Sequence, residues 1–176
     1  MNKKEYNQKM MLIVDAVLVF LLLAFDQFTK YLAIVKLKDK DPFVLIDGVL
    51  QFQYLENRGS AFGMLQGKKI FLLCMGVVFM AVICFFLYKL PKDKKFRSVH
   101  ILLSCIIAGG IGNMIDRFRL DYVVDFIYFV LIDYPIFNVA DCYIVIATIV
   151  LFILFLFVFK DEDLAFLSFK KKRSDS

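Results

Sequence analysis

Apolar residues along this chain gather into four long runs, and charge and turn-forming residues concentrate between them. Crossing ~30 Å of hydrocarbon takes ~20 predominantly apolar residues. Met10–Val35, Ile70–Leu90, Val99–Ile115 and Cys142–Phe159 therefore predict four membrane-spanning helices, the third reaching Arg117 with its polar end and the fourth starting near Ala140. Asp15, Asp26 and Lys30 interrupt the first run, whereas the second has no interruption. The third is short and holds Ser104, Ala108, Gly109, Gly110 and Gly112, small residues that let neighbouring helices approach closely.

Two segments on one side of these spans have patterns of their own. Leu50, Phe52 and Tyr54 alternate with Gln51 and Gln53, the period-2 signature of a half-buried strand. Turn signals bracket it at Asp47-Gly48 and Asn57-Arg58-Gly59, and Phe43 to Ile46 can supply a pairing partner. A small sheet over about residues 41–67, resting on the membrane face, is the expectation. Phe118–Ile136 is also strongly apolar and predicts a short interfacial helix or re-entrant piece. The fold class expected is an all-α membrane protein: a four-transmembrane-helix bundle with a small extracytoplasmic β-sheet, or cradle, and a short interfacial helix. No linker or repeat divides the chain, so residues 1–176 are read as one membrane domain.

Composition agrees with that reading. The chain is 61% hydrophobic, against ~45–50% for a soluble domain. The net charge of +5 comes from basic residues flanking the apolar runs, which is a topology signal and excludes nucleic acid as a partner. Lys and Arg number three in the first ten residues, five in Lys89–Arg97 and five from Lys160 onward. Lys36–Lys69 and Arg117–Ala140 hold six and two over longer stretches. Positive-inside bias thus places both termini in the cytoplasm. The Lys170–Arg173 tail belongs to the same bias. The N-terminal lysines resemble those of a signal peptide, but no small-residue cleavage site follows, so an uncleaved first span is expected. Cys74, Cys84, Cys105 and Cys142 form no Cys-x-x-Cys pair and read as apolar packing residues. His100 is read as interfacial, and no metal or cofactor is implied.

The polar residues at the outer ends of the spans are the candidate chemistry. Asp26 and Lys30 share one helix face and suit a local ion pair or a site-orienting pair. Asp15 reads as a boundary charge. Asn113, Asp116 and Arg117 share a face of the third span, with Asp116 expected to pair with Arg117. Asn138 and Asp141 fit a helix cap with an acid at N3. Asp125 has only apolar neighbours, which would raise its pKa. A capped, charged carboxylate opposite a protonated one makes an acid/base pair of the aspartic-protease kind. The residues alone leave two classes open: a protease, or a small proton-coupled transporter or assembly subunit using buried Asp residues.

Five segments in order resemble the lipoprotein signal peptidase (signal peptidase II) family: Asp26–Lys30, Asn57–Gly63, Gly109–Arg117, Val123–Ile127 and Phe137–Asp141. Ser60 stands where that family usually has a second alanine, and the Asp125–Asp141 connection is slightly short. The resemblance implies an intramembrane aspartyl endopeptidase that cleaves prolipoproteins just before a diacylglyceryl-modified cysteine, without metal or cofactor. It implies Asp125 and Asp141 as the catalytic pair. Asp26, Lys30, Asn57, Gly59, Asn113, Asp116, Arg117 and Asn138 would line or brace the site. The partners implied are lipidated precursors and membrane lipids, for a monomeric enzyme of the bacterial cytoplasmic membrane with its site near the extracytoplasmic face.

Overall fold

The computed structural model describes residues 3–59, 64–160 and 162–163. The Ser60–Gly63 part of the second motif and the Lys170–Arg173 tail lie outside the described residues. Four long helices form where the apolar runs predict them: α1 (Lys3–Leu37), α2 (Lys69–Lys89), α3 (Arg97–Leu120) and α4 (Val139–Phe157). Each has the length and apolarity to cross a membrane. None of α2 is buried within the protein, as expected of a helix whose solvent is lipid. The third span is longer than its apolar core suggested, because the helix runs on through the polar residues Asp116, Arg117 and Arg119 to Leu120.

Helix α3 is the hub, and its glycines explain how. A Cβ at Gly109 would lie 2.5 Å from the carbonyl oxygen of Ala140 on α4, and one at Gly110 would lie 2.6 Å from the Met80 methyl on α2. One at Gly112 would collide with the Asp26 carboxylate on α1. Three glycines thus admit three different helices, the close approach that small residues allow in a bundle.

At one end of the bundle sits a three-stranded antiparallel sheet, ordered β1 (Phe43–Ile46), β2 (Leu50–Asn57), β3 (Val123–Phe129). The β1–β2 hairpin turns at Gly48, whose φ of +65° is the left-handed conformation that glycine adopts without penalty. The third strand differs from expectation. Val123–Phe129 pairs with β2, and only Val130–Ile132 makes a single 3₁₀ turn where a short helix or re-entrant piece was expected. Val123 to Phe126 are all buried, so the segment lacks the polar/apolar alternation that marks a one-sided strand. Short apolar runs do not reveal their periodicity.

Among the described residues the core has two parts. Leu90, Phe96, Val99, Leu103, Ile106, Ala147, Leu151 and Phe159 pack together toward the end away from the sheet. Under the sheet, Ala33 of α1 meets Val124 and Phe126 of β3.

Candidate active site

Alternation along β3 separates its side chains. Val124 and Phe126 pack toward α1, while Val123 and Asp125 line a cavity of about 470 Å³ on the other side of the strand. Asn57, Asn113, Arg117 and Asp141 line the same cavity, so four distant segments converge there. After β3 the chain folds back quickly. Phe126 and Ile127 N–H groups donate to the Phe137 carbonyl at 3.0 and 2.8 Å, and Phe137 N–H donates to Ile127 at 3.0 Å. That closure carries Asn138 directly onto Asp125.

Asn138 begins α4 as its N-cap and is fully buried. Its Oδ1 accepts the Asp141 backbone N–H at 3.0 Å, and its own N–H donates to Asp141 Oδ2 at 3.1 Å. This is the expected reciprocal capping box. The Asn138 amide does more than cap: Nδ2 donates to Asp125 Oδ1 at 2.6 Å and to Asn113 Oδ1 at 3.1 Å. One side chain therefore touches both carboxylate environments. Asn57 Nδ2 donates to the other Asp125 oxygen at 2.9 Å, and Asn113 Nδ2 donates to Asp141 Oδ1 at 2.8 Å.

The two carboxylates are placed differently. Asp141 is only part-buried, accepts two N–H donors and sits at the positive end of a helix, which stabilises negative charge. Asp125 is 1% exposed. Burial, and then the Asp141 charge, push its carboxyl up to about 7, against the opposing hydrogen bonds from Asn57 and Asn138. A buried carboxyl that holds its proton more tightly, beside a second carboxyl reached by hydrogen-bond donors, suits general acid/base work.

Behind the cavity lies a buried ionic cluster. Lys30 Nζ is 3.0 Å from both Asp26 Oδ2 and Asp116 Oδ2, with all three side chains at most 4% exposed. Asp116 was expected to pair with Arg117, and the structure corrects this. Consecutive helix positions do not face each other, and Lys30 arrives from α1. Arg117 instead donates to the Gly59 carbonyl at 2.8 Å and to the Asn113 carbonyl at 3.2 Å, holding the chain beyond β2 against α3. Lys30 also donates to Asn113 Oδ1 at 2.8 Å. With that oxygen engaged by Lys30 and Asn138, the amide NH₂ of Asn113 must face Asp141.

The cluster also sets backbone positions. Asp26 Oδ1 accepts the Ala140 N–H at 3.0 Å, satisfying an orphan donor in the first turn of α4 from across the bundle. Asp116 Oδ2 accepts the Val124 N–H at 3.2 Å, fixing β3 one residue before Asp125. Gln27, to which the sequence reading assigned no role, donates to Asp116 Oδ1 at 3.0 Å and to the Gly112 carbonyl at 3.3 Å. It also donates to the neighbouring Asp26 at 3.2 Å, but the other two partners are 89 and 85 residues away, so no local pattern could have exposed them.

Asp15 and His100 meet across the bundle. The sequence left them without partners, and the structure pairs them: they are 5% and 1% exposed, and His100 Nδ1 lies 2.7 Å from Asp15 Oδ2. They join α1 to α3 about 16 Å along the helix from Asp26, outside the cavity. The four cysteines are unpaired.

The chain as a whole is similar to known proteins. The family described as "Signal peptidase (SPase) II" matches residues 18–157. A lipoprotein signal peptidase of Caldanaerobacter subterraneus is 43% identical over 148 residues, covering 84% of this chain and 97% of that protein. The lipoprotein signal peptidase of Clostridium tetani is 38% identical, covering 84% and 94%. A bacterial membrane enzyme structure obtained by the in meso method at 2.3 Å resolution superposes with a TM-score of 0.74 at 29% identity, covering 90% of this chain and 93% of the other. A second, at 1.9 Å resolution, gives 0.70 at 30% identity, covering 83% and 94%.

Proposed function

The chain belongs to the signal peptidase II family, and from that premise we propose that it is an aspartyl endopeptidase removing signal peptides from prolipoproteins. The observation that carries the mechanism is the joint hold of Asn138 on Asp125 and Asp141 at one wall of the cavity. Asp141, whose hydrogen-bond donors favour charge, takes the proton from an attacking water. Asp125, protonated, donates to the carbonyl oxygen of the scissile amide as the tetrahedral intermediate forms. Collapse of that intermediate returns a proton to the departing amine, and the pair is restored with one proton between them.

Lys30 and Asn113 act through Asp141, and Asn57 acts through Asp125. Asp26 and Asp116 set α4 and β3, and Arg117 holds Gly59 at the cavity edge. The substrate is a precursor whose diacylglyceryl-modified cysteine is anchored in lipid, with cleavage just before that cysteine. Such a bond is presented near headgroup level, which is where the sheet end lies. Positive-inside counting favours the extracytoplasmic face for that end and the cytoplasm for both termini. The chain is proposed to act as one membrane domain and as a monomer. A proton-relay transporter is not favoured, because the family and the relatives that this chain matches are signal peptidases.

The test uses purified enzyme in detergent and a diacylglyceryl-modified precursor, followed by gel shift. Asp125→Asn and Asp141→Asn are each expected to abolish cleavage while the melting transition persists. Turnover retained in either folded variant overturns the pair.

A further inference from the structure

A second cavity, of about 650 Å³, lies between α1 and the side of the sheet away from Asp125. Its size falls within the ~300–1,000 Å³ of ordinary ligand clefts. Leu32, Ala33, Phe43, Phe52 and Phe126 provide its apolar lining, with the Phe52 and Phe126 rings edge to face at 6.0 Å. The rim is charged: Lys36, from the last turn of α1, and Lys40 line it together with one carboxylate, Asp41. Both lysines are exposed, and Lys40 also donates to the Val35 carbonyl at 3.4 Å.

Its surroundings indicate the phase it opens to. Phe43, Val44, Leu45 and Ile46 of β1 are 58%, 51%, 45% and 55% exposed, and Phe28 on α1 is 56% exposed. Four consecutive exposed apolar side chains on an edge strand would invite aggregation in water. Beside the end of a membrane-spanning helix they suit lipid. The groove therefore joins an apolar trough to an excess of ammonium groups at the level where phosphate headgroups lie.

We propose that this groove binds an anionic phospholipid of the surrounding bilayer, its headgroup against Lys36 and Lys40 and an acyl chain along Leu32, Phe43 and Phe126. Two lysines against one acid select a net-negative headgroup over a zwitterionic one. The lysine stems can lie along the apolar wall while their tips reach the phosphate. Because the groove backs onto β3 from the side opposite Asp125, an occupying lipid supports the strand without entering the cleavage cavity.

The experiment uses the full chain in detergent with tail-photoactivatable phosphatidylglycerol or phosphatidylcholine, and maps cross-linked peptides by mass spectrometry. Phosphatidylglycerol is expected to label the Leu32–Phe43 and Phe52 segments at least threefold more than phosphatidylcholine. Lys36→Gln/Lys40→Gln is expected to reduce its labelling to the phosphatidylcholine level. Lys68→Gln, an exposed lysine outside the groove, is expected to keep the preference. Retained turnover of the double variant on lipidated precursor shows that it is folded. Equal labelling by the two lipids, or labelling unchanged in the folded double variant, overturns the proposal. So does displacement of the label by lipidated precursor but not by unlabelled phosphatidylglycerol, which assigns the groove to substrate.

Discussion

Helices α1 and α3 are joined by buried ionisable side chains at two places, and the two are built differently. Near the sheet, Lys30 is shared by Asp26 and Asp116, and every one of these groups has further polar partners on α3, α4 or β3. About 16 Å away, Asp15 and His100 form a simple clasp, with the Pro91 carbonyl 3.4 Å from His100 Nε2. The first cluster stands behind a cavity; the second adjoins the larger apolar core. Both carry the desolvation cost of burying polar groups. Only the first uses its hydrogen bonds to orient groups that face the cavity. The lesson is that a buried ion pair in this bundle signals function through what it orients, and its burial alone says nothing.

Substitutions can break that contrast. Lys30→Met is expected to have the largest effect, because it strands two carboxylates without their cation. Loss of one member of a buried pair costs ~3–5 kcal/mol, and the Asn113 amide loses the donor that orients it. Denaturation in detergent should show the loss, and turnover should fall with it even at temperatures where the variant stays folded. If turnover is unchanged in folded Lys30→Met, the link through Asn113 is wrong.

At the other end, Asp15→Leu and His100→Leu should each cost ~1–3 kcal/mol by leaving a buried polar partner unsatisfied. The double variant should cost less than their sum, because removing both partners removes the orphan. Cleavage per folded molecule should stay within about twofold of the parent. A tenfold loss of turnover would give this clasp a role in the site and erase the distinction.

The smallest expected effect is one of pH. Asp125 binds its proton more tightly in the fold than in the unfolded chain, its carboxyl rising from 3.8 to about 7. Stability conferred by the protonated form is present below the unfolded value and is lost as pH rises through about 7. Asp125→Asn is uncharged throughout, so its melting temperature relative to the parent should rise between pH 5 and pH 8, by ~2–4 °C for each kcal/mol involved. Parent turnover should fall over the same alkaline limb, as Asp125 loses the proton it donates. A melting difference independent of pH would remove Asp125 as the proton holder.

Much of the scaffold was legible in the residues. The four spans follow from apolar length, the β1–β2 hairpin from alternation around Asp47-Gly48, and the start of α4 from Asn138 and Asp141, all consequences of neighbours in the chain. The candidate pair could be named because a carboxylate among Val124 and Phe126 has no local justification. Other features were hidden for specific reasons. Strand β3 is covered on both faces and so shows no period. The partner of Asp116 is not its neighbour Arg117 but Lys30, and His100 finds Asp15 across 85 residues.

The division has a physical basis. Apolar length, turn conformation and helix capping are settled within a few residues, so the sequence by itself determines the spans, the hairpin and the cap. Charge pairing inside a bundle is settled by proximity, since Coulomb energy falls with distance and grows as water is excluded. Which groups come within 3.0 Å of Lys30 depends on how closely α1 and α3 approach. That approach rests on Gly112, where a Cβ would strike Asp26. The sequence states which charges must be buried; only the packing of helices decides which of them meet.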